Sequence, residues 1–351
     1  MTSILENIVA PGSIDFMLNI GIILLKIAIV IGMGLLHVAY ATYFERKVIG
    51  HMQVRLGPRE VGPLGLLQPI ADGVKLFFKE DIIPSESDKP IFYLSPVIFF
   101  ISALTSLSVI PFFDGFVIAD INIGLLFLFA MSSLAAYGIV MSGWSSGSKY
   151  SFLGGLRSAS QVISYEIAMG LSLVGVMIMA GSLNLTEIVR AQQAYPLGIF
   201  AIPQFIGFFV FVVAAFAETN RLPFDLPEAE SELVAGYFSE YSGFRFALFF
   251  LGEYTGMLVM SSIASVCFLG GWGLPGFITS NLPVFAWKAL GLGFFLVKVY
   301  AFMFLYYWVR ATLPRYRYDQ LMAIGWKLLL PLALANIVLT GLVKIWMKGL
   351  L

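Results

Sequence analysis

Residues 246–269, FALFFLGEYTGMLVMSSIASVCFL, run for 24 positions with one formally charged side chain, Glu253. Wound as an α-helix, such a stretch is about 36 Å long, enough to cross the roughly 30 Å hydrocarbon core of a bilayer. Seven further stretches have the same character: 18–42, 91–111, 122–142, 160–181, 199–217, 285–309 and 324–346. The whole chain agrees with this reading. It has 351 residues, 59% of them hydrophobic and only 12% charged, with a mean hydropathy of +0.89, whereas soluble domains carry roughly a quarter charged residues. The sequence therefore predicts an all-α polytopic membrane protein of about eight transmembrane helices. There is no strand pattern, internal repeat or dividing linker, so residues 1–351 read as a single transmembrane domain. Trp144, Trp272, Trp287, Trp308, Trp326 and Trp346 fall near predicted span ends, where aromatic belts lie.

Lys and Arg set the expected orientation. Loop 43–90 carries Arg46, Lys47, Arg55, Arg59, Lys75, Lys79 and Lys89; loops 143–159, 218–245 and 310–323 add Lys149, Arg157, Arg221, Arg245, Arg310, Arg315 and Arg317. The opposite side has Arg190, Lys344 and Lys348. The four basic loops are thus expected on the cytoplasmic (or matrix) side and both termini on the other, as an even number of spans requires. Residues 1–16 show no basic region ahead of an apolar run and do not read as a signal or transit peptide. Within the first loop, Gly57-Pro58 and Gly62-Pro63 mark turns. Leu67, Ile70, Val74, Phe77 and Phe78 then repeat at helical spacing, predicting an amphipathic cytoplasmic helix of about four turns.

The inventory excludes several chemistries. One cysteine, Cys267, and two histidines, His37 and His51, are too few for an iron–sulfur cluster or a structural zinc, and only His37 lies in a span. No metal site, disulfide or bis-histidine haem is expected. The formal net charge is zero, which offers nucleic acid no basic footprint. P-loop and H-E-x-x-H motifs are absent from the sequence. Redox chemistry must then rest on partner subunits or a diffusible substrate, and no catalytic residue is expected on this chain alone.

What remains is acid and base in unusual places. The stretch Glu218-Thr-Asn-Arg221-Leu-Pro-Phe-Asp225-Leu-Pro-Glu228-Ala-Glu230-Ser-Glu232, with Glu240 beyond it, is either a solvated acidic loop or a set of carboxylates that share protons; the rigid Pro-Phe-Asp-Leu-Pro turn favours the second. Lys26, His37, Glu166, Glu253, Lys288 and Lys298 lie inside spans, where an ionisable group is functional by default. Lys26 and Lys288 are near span ends and can snorkel. Glu166 and Glu253 lie deeper, at a level similar to Glu218, so the three form a candidate proton relay that Lys298 ends or continues. A buried structural Glu–Lys pair is the plain alternative. Glu45 adjoins Arg46 beside Tyr40 and Tyr43, which a simple positive anchor does not explain. A secondary transporter acting alone is the competing functional reading. Transporters, however, place sites near the midplane between inverted repeats, and here the acids lie toward one side.

Three stretches together resemble one family: Glu45-Arg46-Lys47 through Gly65-Leu-Leu-Gln68-Pro69-Ile-Ala-Asp72-Gly-Val-Lys75; Glu218-Thr-Asn-Arg221 through Glu232-Leu-Val-Ala-Gly236; and Pro314-Arg315-Tyr-Arg317-Tyr318-Asp319-Gln320. They resemble the NuoH family, the quinone-site membrane subunit of proton-translocating NADH:quinone oxidoreductase (respiratory complex I), over essentially the whole chain. The resemblance implies a bacterial plasma-membrane protein that binds no cofactor itself. Its substrate would be quinone, ubiquinone or menaquinone, with FMN and iron–sulfur clusters on partners. Those partners would be peripheral quinone-site subunits and antiporter-like membrane subunits, in a lipid bilayer. It implies that Arg46, Asp72, Lys75, Arg221 and Asp225 line or brace a quinone chamber. Glu166, Glu218, Glu228, Glu230, Glu232, Glu240 and Glu253 would form an acidic proton path. Related subunits of membrane-bound hydrogenases and ferredoxin-linked dehydrogenases differ mainly in the electron-input partners; the full-length match favours NADH and quinone.

Overall fold

The computed structural model describes residues 14–195, 198–226, 234–274 and 283–349. Among these, seven helices are long and apolar enough to cross a membrane, and an eighth apolar helix is shorter. In chain order the helices are α1 (Ile14–Met52), α2 (Gln68–Phe78), α3 (Lys89–Ser106), α4 (Gly124–Ser145), α5 (Lys149–Ala180), α6 (Leu185–Gln193), α7 (Phe205–Glu218), α8 (Gly243–Phe268), α9 (Val284–Thr312), α10 (Tyr318–Ala323) and α11 (Leu330–Gly349). The all-helical, polytopic expectation holds. Glu228, Glu230 and Glu232 lie outside the described residues.

Helix α8 is the axis of the bundle. It packs on α1, α3, α9 and, less extensively, α7, and almost all of its side chains from Thr255 to Phe268 are buried. Lipid tails are as apolar as leucine, so helices in a bilayer associate by close packing rather than by hydrophobic expulsion. Phe99 of α3 shows how close: a Cβ on Gly138 of α4 would stand 2.9 Å from its Cβ, and one on Gly252 of α8 would stand 2.6 Å from its ring. The ring fills the gap that two glycines leave between three helices.

Several elements depart from the sequence reading: α1 runs on to Met52, ten residues past the expected end of its span, and α6 is a helix in a predicted loop. Helix α5 starts at Lys149, eleven residues before the expected span, so half of a predicted loop is helical. Its added turns are held by contact: a Cβ on Gly154 would lie 2.8 Å from the Cα of Gly236. Helix α7 starts at Phe205, not 199, and its 14 residues span only about 21 Å. Residues 198–204 ahead of it are non-helical; Phe200 and Gln204 are buried and Ile202 is exposed, and side chains satisfy backbone groups of the segment. Gln192 accepts from the Phe200 and Gly270 amides at 3.2 and 2.9 Å and donates to the Val266 carbonyl at 2.6 Å. Gln204 donates to Thr340 at 2.7 Å and accepts from Asn336 at 2.8 Å.

In the last span, residues Ile324–Leu329 form a π-helical segment joining α10 to α11. Pro331 follows one residue later and cannot donate a helical hydrogen bond, a local cause for the wider turn. Finally, α2 has three turns, not four. Its apolar residues Ile70, Val74, Phe77 and Phe78 are exposed, and Phe77 lies against the Phe244 ring of α8, 4.8 Å between centroids.

Candidate functional site

Three buried charges and the half-buried Arg310 meet near the end of the bundle that carries the basic loops. Glu45 comes from the last turns of α1, Arg221 from the loop after α7, Glu253 from α8 and Arg310 from the last turn of α9. Arg221 reaches Glu253 at 2.7 Å and Glu45 at 3.4 Å. Arg310 pairs with the same Glu45 oxygen. Tyr254 donates to the other Glu45 oxygen at 2.7 Å, and its ring lies 4.4 Å under the Arg221 guanidinium. Two acids and two arginines thus neutralise one another. Buried ions persist only in this form, because removing any one leaves an uncompensated charge in low dielectric.

A cavity of about 1220 Å³ opens against this cluster. Glu45, Tyr254 and Arg310 form its charged inner wall; Arg46, Asp72 and Lys75 line it as well. Leu35, Val38, Leu104 and Leu251 form apolar wall. Arg46 donates to Asp72 at 2.7 Å, and Gln68 holds the other Asp72 oxygen at 3.0 Å, so α2 is tied across to α1. The volume exceeds the roughly 300–1,000 Å³ of ordinary small-molecule pockets.

On the other face of α8 lies a second, smaller cavity of about 80 Å³, with Glu253, Glu218, Ser132, Thr219 and Asn220 among its lining. Ser132 of α4 donates to Glu218, and the next residue, Ser133, donates to Glu166 on α5. Glu253 therefore has one neighbour in the ion cluster and shares a cavity wall with Glu218. Among the described residues, no group of three or more His, Cys, Asp or Glu is arranged to hold a metal ion.

Comparison with known proteins gives this arrangement a family. A family model described as NADH dehydrogenase matches residues 25–341. The chain is 52% identical over 341 residues to the H subunit of the NADH-quinone oxidoreductase of Paramagnetospirillum magneticum, covering 97% of this chain and 96% of that one. It is 56% identical over 305 residues to the corresponding protein of Rhodospirillum rubrum, covering 87% and 88%. With that of Rickettsia typhi it shares 52% over 338 residues, covering 96% and 97%. The chain belongs to the NuoH family, the H subunits of NADH-quinone oxidoreductases.

Within that family, the residues singled out from sequence fall into three groups. Arg46, Asp72 and Lys75 share the large cavity. Glu253, Glu218 and Glu166 follow one another across α8, α7 and α5, joined through the smaller cavity and the α4 serines. Asp225 stands apart from the cavity wall and pairs with Arg315 at 3.0 Å. Glu240 is half-buried after the short Gly236–Phe238 turn, and no hydrogen bond or ion pair among the described residues joins it to the other acids.

Lys298 is a correction. Its ammonium donates to the Leu269 and Gly271 carbonyls, each at 2.7 Å. It caps the C-terminal end of α8, where the helix dipole favours a cation, and reaches none of the relay carboxylates. Lys26 behaves alike, donating to the Val117 carbonyl at 3.2 Å. His37 meets only Tyr300, at 3.2 Å, among the described residues.

Sequence reasoning gave Glu45 no role, counted Arg310 only as a positive-inside charge, and met Arg315 as such a charge and within a stretch that carries the resemblance, without a role. The signal for Glu45 was present, since an acid at a membrane helix end rich in basic residues needs partners. Nothing in the sequence announced that these partners come from α8, α9 and the loop after α7. Ser132 and Ser133 carried no signal, because serine is common between membrane helices.

Proposed function

We propose that this chain is the membrane subunit of a proton-translocating NADH:quinone oxidoreductase that holds part of the quinone chamber and starts the proton path. The observation that carries the reading is a shared wall. Glu45, Tyr254 and Arg310 border the large cavity, while Glu253, in the same ion cluster, borders the small cavity with Glu218. Quinone enters the large cavity with its head toward the charged wall and its tail along the apolar side. Electrons reach it from an iron–sulfur cluster on a partner subunit, which takes them by way of FMN from NADH. This chain contributes polar anchors and no redox centre.

Coupling is electrostatic. Reduction or movement of quinone changes the charge beside Glu45 and Arg310. At an effective dielectric near 20, a unit charge about 4 Å away is worth roughly 4 kcal/mol, ample to redistribute protons among Glu45, Glu253, Glu218 and Glu166. Protons then pass toward antiporter-like neighbours past Glu166. Glu228, Glu230, Glu232 and Glu240 belong to the same proton path. Asp225, held by Arg315, and Arg221 brace the chamber from behind. The chain lies in a bacterial plasma membrane with both termini on the periplasmic side.

The test is Glu218→Gln and Glu253→Gln in the intact complex. Both are expected to assemble, to keep NADH:ferricyanide activity and to lose about tenfold or more of proton-coupled NADH:quinone turnover, at least roughly 1.4 kcal/mol of coupling. Wild-type pumping in both variants would sink the proposal.

A further inference from the structure

The carboxylates leave a gap that the rest of the molecule fills. Glu253 and Glu218 stand on different elements, α8 and α7, and share only the small cavity. Glu218 and Glu166 are on α7 and α5, which pack on each other, and each accepts a hydrogen bond from α4. Two features bridge these gaps, and neither carries a charge.

The first is the cavity. Its 80 Å³ is room for about two or three waters, each of which takes roughly 30 Å³ in the liquid. A cavity holds water only where polar partners face it. Glu218 Oε2 and Asn220 Oδ1 are buried acceptors that make no hydrogen bond with the described residues, and both residues line the cavity. Buried acceptors of that kind are normally satisfied by ordered water. The space exists because Gly256 is a glycine. Gly256 borders the cavity, and a Cβ built on it meets nothing within 4 Å. Close packing therefore does not demand glycine there, in contrast to Gly252 one turn earlier, whose Cβ would press into the Phe99 ring at 2.6 Å. A glycine inside a helix costs about 1 kcal/mol relative to alanine, and open space is what it leaves at this position.

The second feature is the Ser132–Ser133 pair. Adjacent helix residues point about 100° apart, so one hydroxyl faces α7 and the next faces α5. Each donates to one glutamate. Ser132 holds one oxygen of Glu218 and leaves the other without a hydrogen-bond partner among the described residues, and Ser133 holds Glu166.

We propose that Ser132, Ser133 and Gly256 are positioning residues of the proton path: Gly256 keeps the water space between Glu253 and Glu218 open, and the two serines orient Glu218 and Glu166 for transfer. No bond other than O–H is made or broken. A proton leaves one carboxyl oxygen, passes over water, and arrives on the next, while each serine keeps one proton throughout. The inference rests on the proposed function above.

The experiment uses the whole complex in membrane vesicles. Gly256→Ala, Gly256→Val, Ser132→Ala, Ser132→Thr and Ser133→Ala are compared with Glu218→Gln. NADH:ferricyanide activity and recovery of this chain report assembly. NADH:quinone turnover, proton uptake per NADH, the pH profile and the solvent isotope effect report transfer. Gly256→Val is expected to lower coupled turnover and raise the isotope effect, with Gly256→Ala milder. Ser132→Ala is expected to lower turnover roughly three- to tenfold, the scale of one hydrogen bond, to move the pH profile, and to be rescued by Ser132→Thr. Ser133→Ala is expected to act in the same direction. Wild-type transfer in the Gly256→Val and serine variants, with Glu218→Gln defective, overturns this inference and leaves the function standing. Wild-type transfer in all, Glu218→Gln included, overturns both. A loss in Ser132→Ala that threonine does not rescue, with an unmoved pH profile, marks a packing role and also overturns it. If Gly256→Val does not assemble, Gly256→Ala decides on the isotope effect.

Discussion

Glu45, Arg221, Glu253 and Arg310 near one end of the bundle, and Gln192, Gln204, Asn336 and Lys298 toward the other, are all polar groups inside a membrane chain. The first set consists of opposite charges bound to one another and bordered by cavities. The second consists of amides and one ammonium bound mostly to backbone carbonyls and amides or to each other, and these residues line neither of the two cavities. Neutral hydrogen bonds are the cheap way to hold irregular backbone inside a bilayer. A charge cluster costs more and is bistable, since moving one proton or one ligand charge rebalances every member. The difference separates an end built to respond from an end built to hold.

This contrast can be broken by experiment. The largest effect is expected from Arg221→Ala. It strands Glu45 and Glu253 near a single remaining arginine, a loss of about 3–5 kcal/mol, and recovery of the chain in the complex should fall with quinone activity. Normal assembly of that variant would mean the cluster is not a mutually dependent unit. Gln192→Ala should come next. It deprives the Gly270 amide and the Val266 carbonyl of their side-chain partner, while the Phe200 amide keeps the Phe268 carbonyl at 2.9 Å, and should cost about 2–4 kcal/mol, read as a lower melting temperature in detergent. Turnover per assembled complex should be unchanged; a pumping defect at wild-type stability would erase the distinction between the two ends.

Lys298→Met sharpens the same point at smaller scale. Losing two hydrogen bonds to the end of α8 should cost about 1–3 kcal/mol without altering proton uptake per NADH, and an altered ratio would restore Lys298 to the relay. The smallest effect on stability is expected from Arg46→Ala. Its partner Asp72 is partly exposed and the arginine is 54% exposed, and such pairs contribute about 0–1 kcal/mol. Its signature should instead be a raised KM for quinone at normal melting temperature, because it faces the cavity. Unchanged KM would remove it from the chamber wall.

Much of this was legible from residues alone. An apolar run with one Glu253 states both that a helix crosses a bilayer and that something functional lies within it, because both conclusions rest on local transfer energies. The departures share a cause. The early start of α5 is set by Gly154 meeting Gly236, and the late start of α7 by Gln192 reaching across to Phe200 and Gly270. Both are contacts between separate elements, and hydropathy does not register them.

By itself the sequence determined the all-helical membrane class and the number of apolar helices, and it predicted the sidedness of the basic loops and a chain without bound metal or cofactor. These follow from composition, periodicity and short-range motifs, whose energetics are local. Only the tertiary structure decided which charges pair. It put Glu45 at the centre of the cluster, moved Lys298 from the relay to a helix cap, and set Ser132 and Ser133 between two glutamates on two other helices. Those assignments depend on distances of a few ångströms between helices. Coulomb and hydrogen-bond energies vary steeply over that range, and the order of residues along the chain carries no such information.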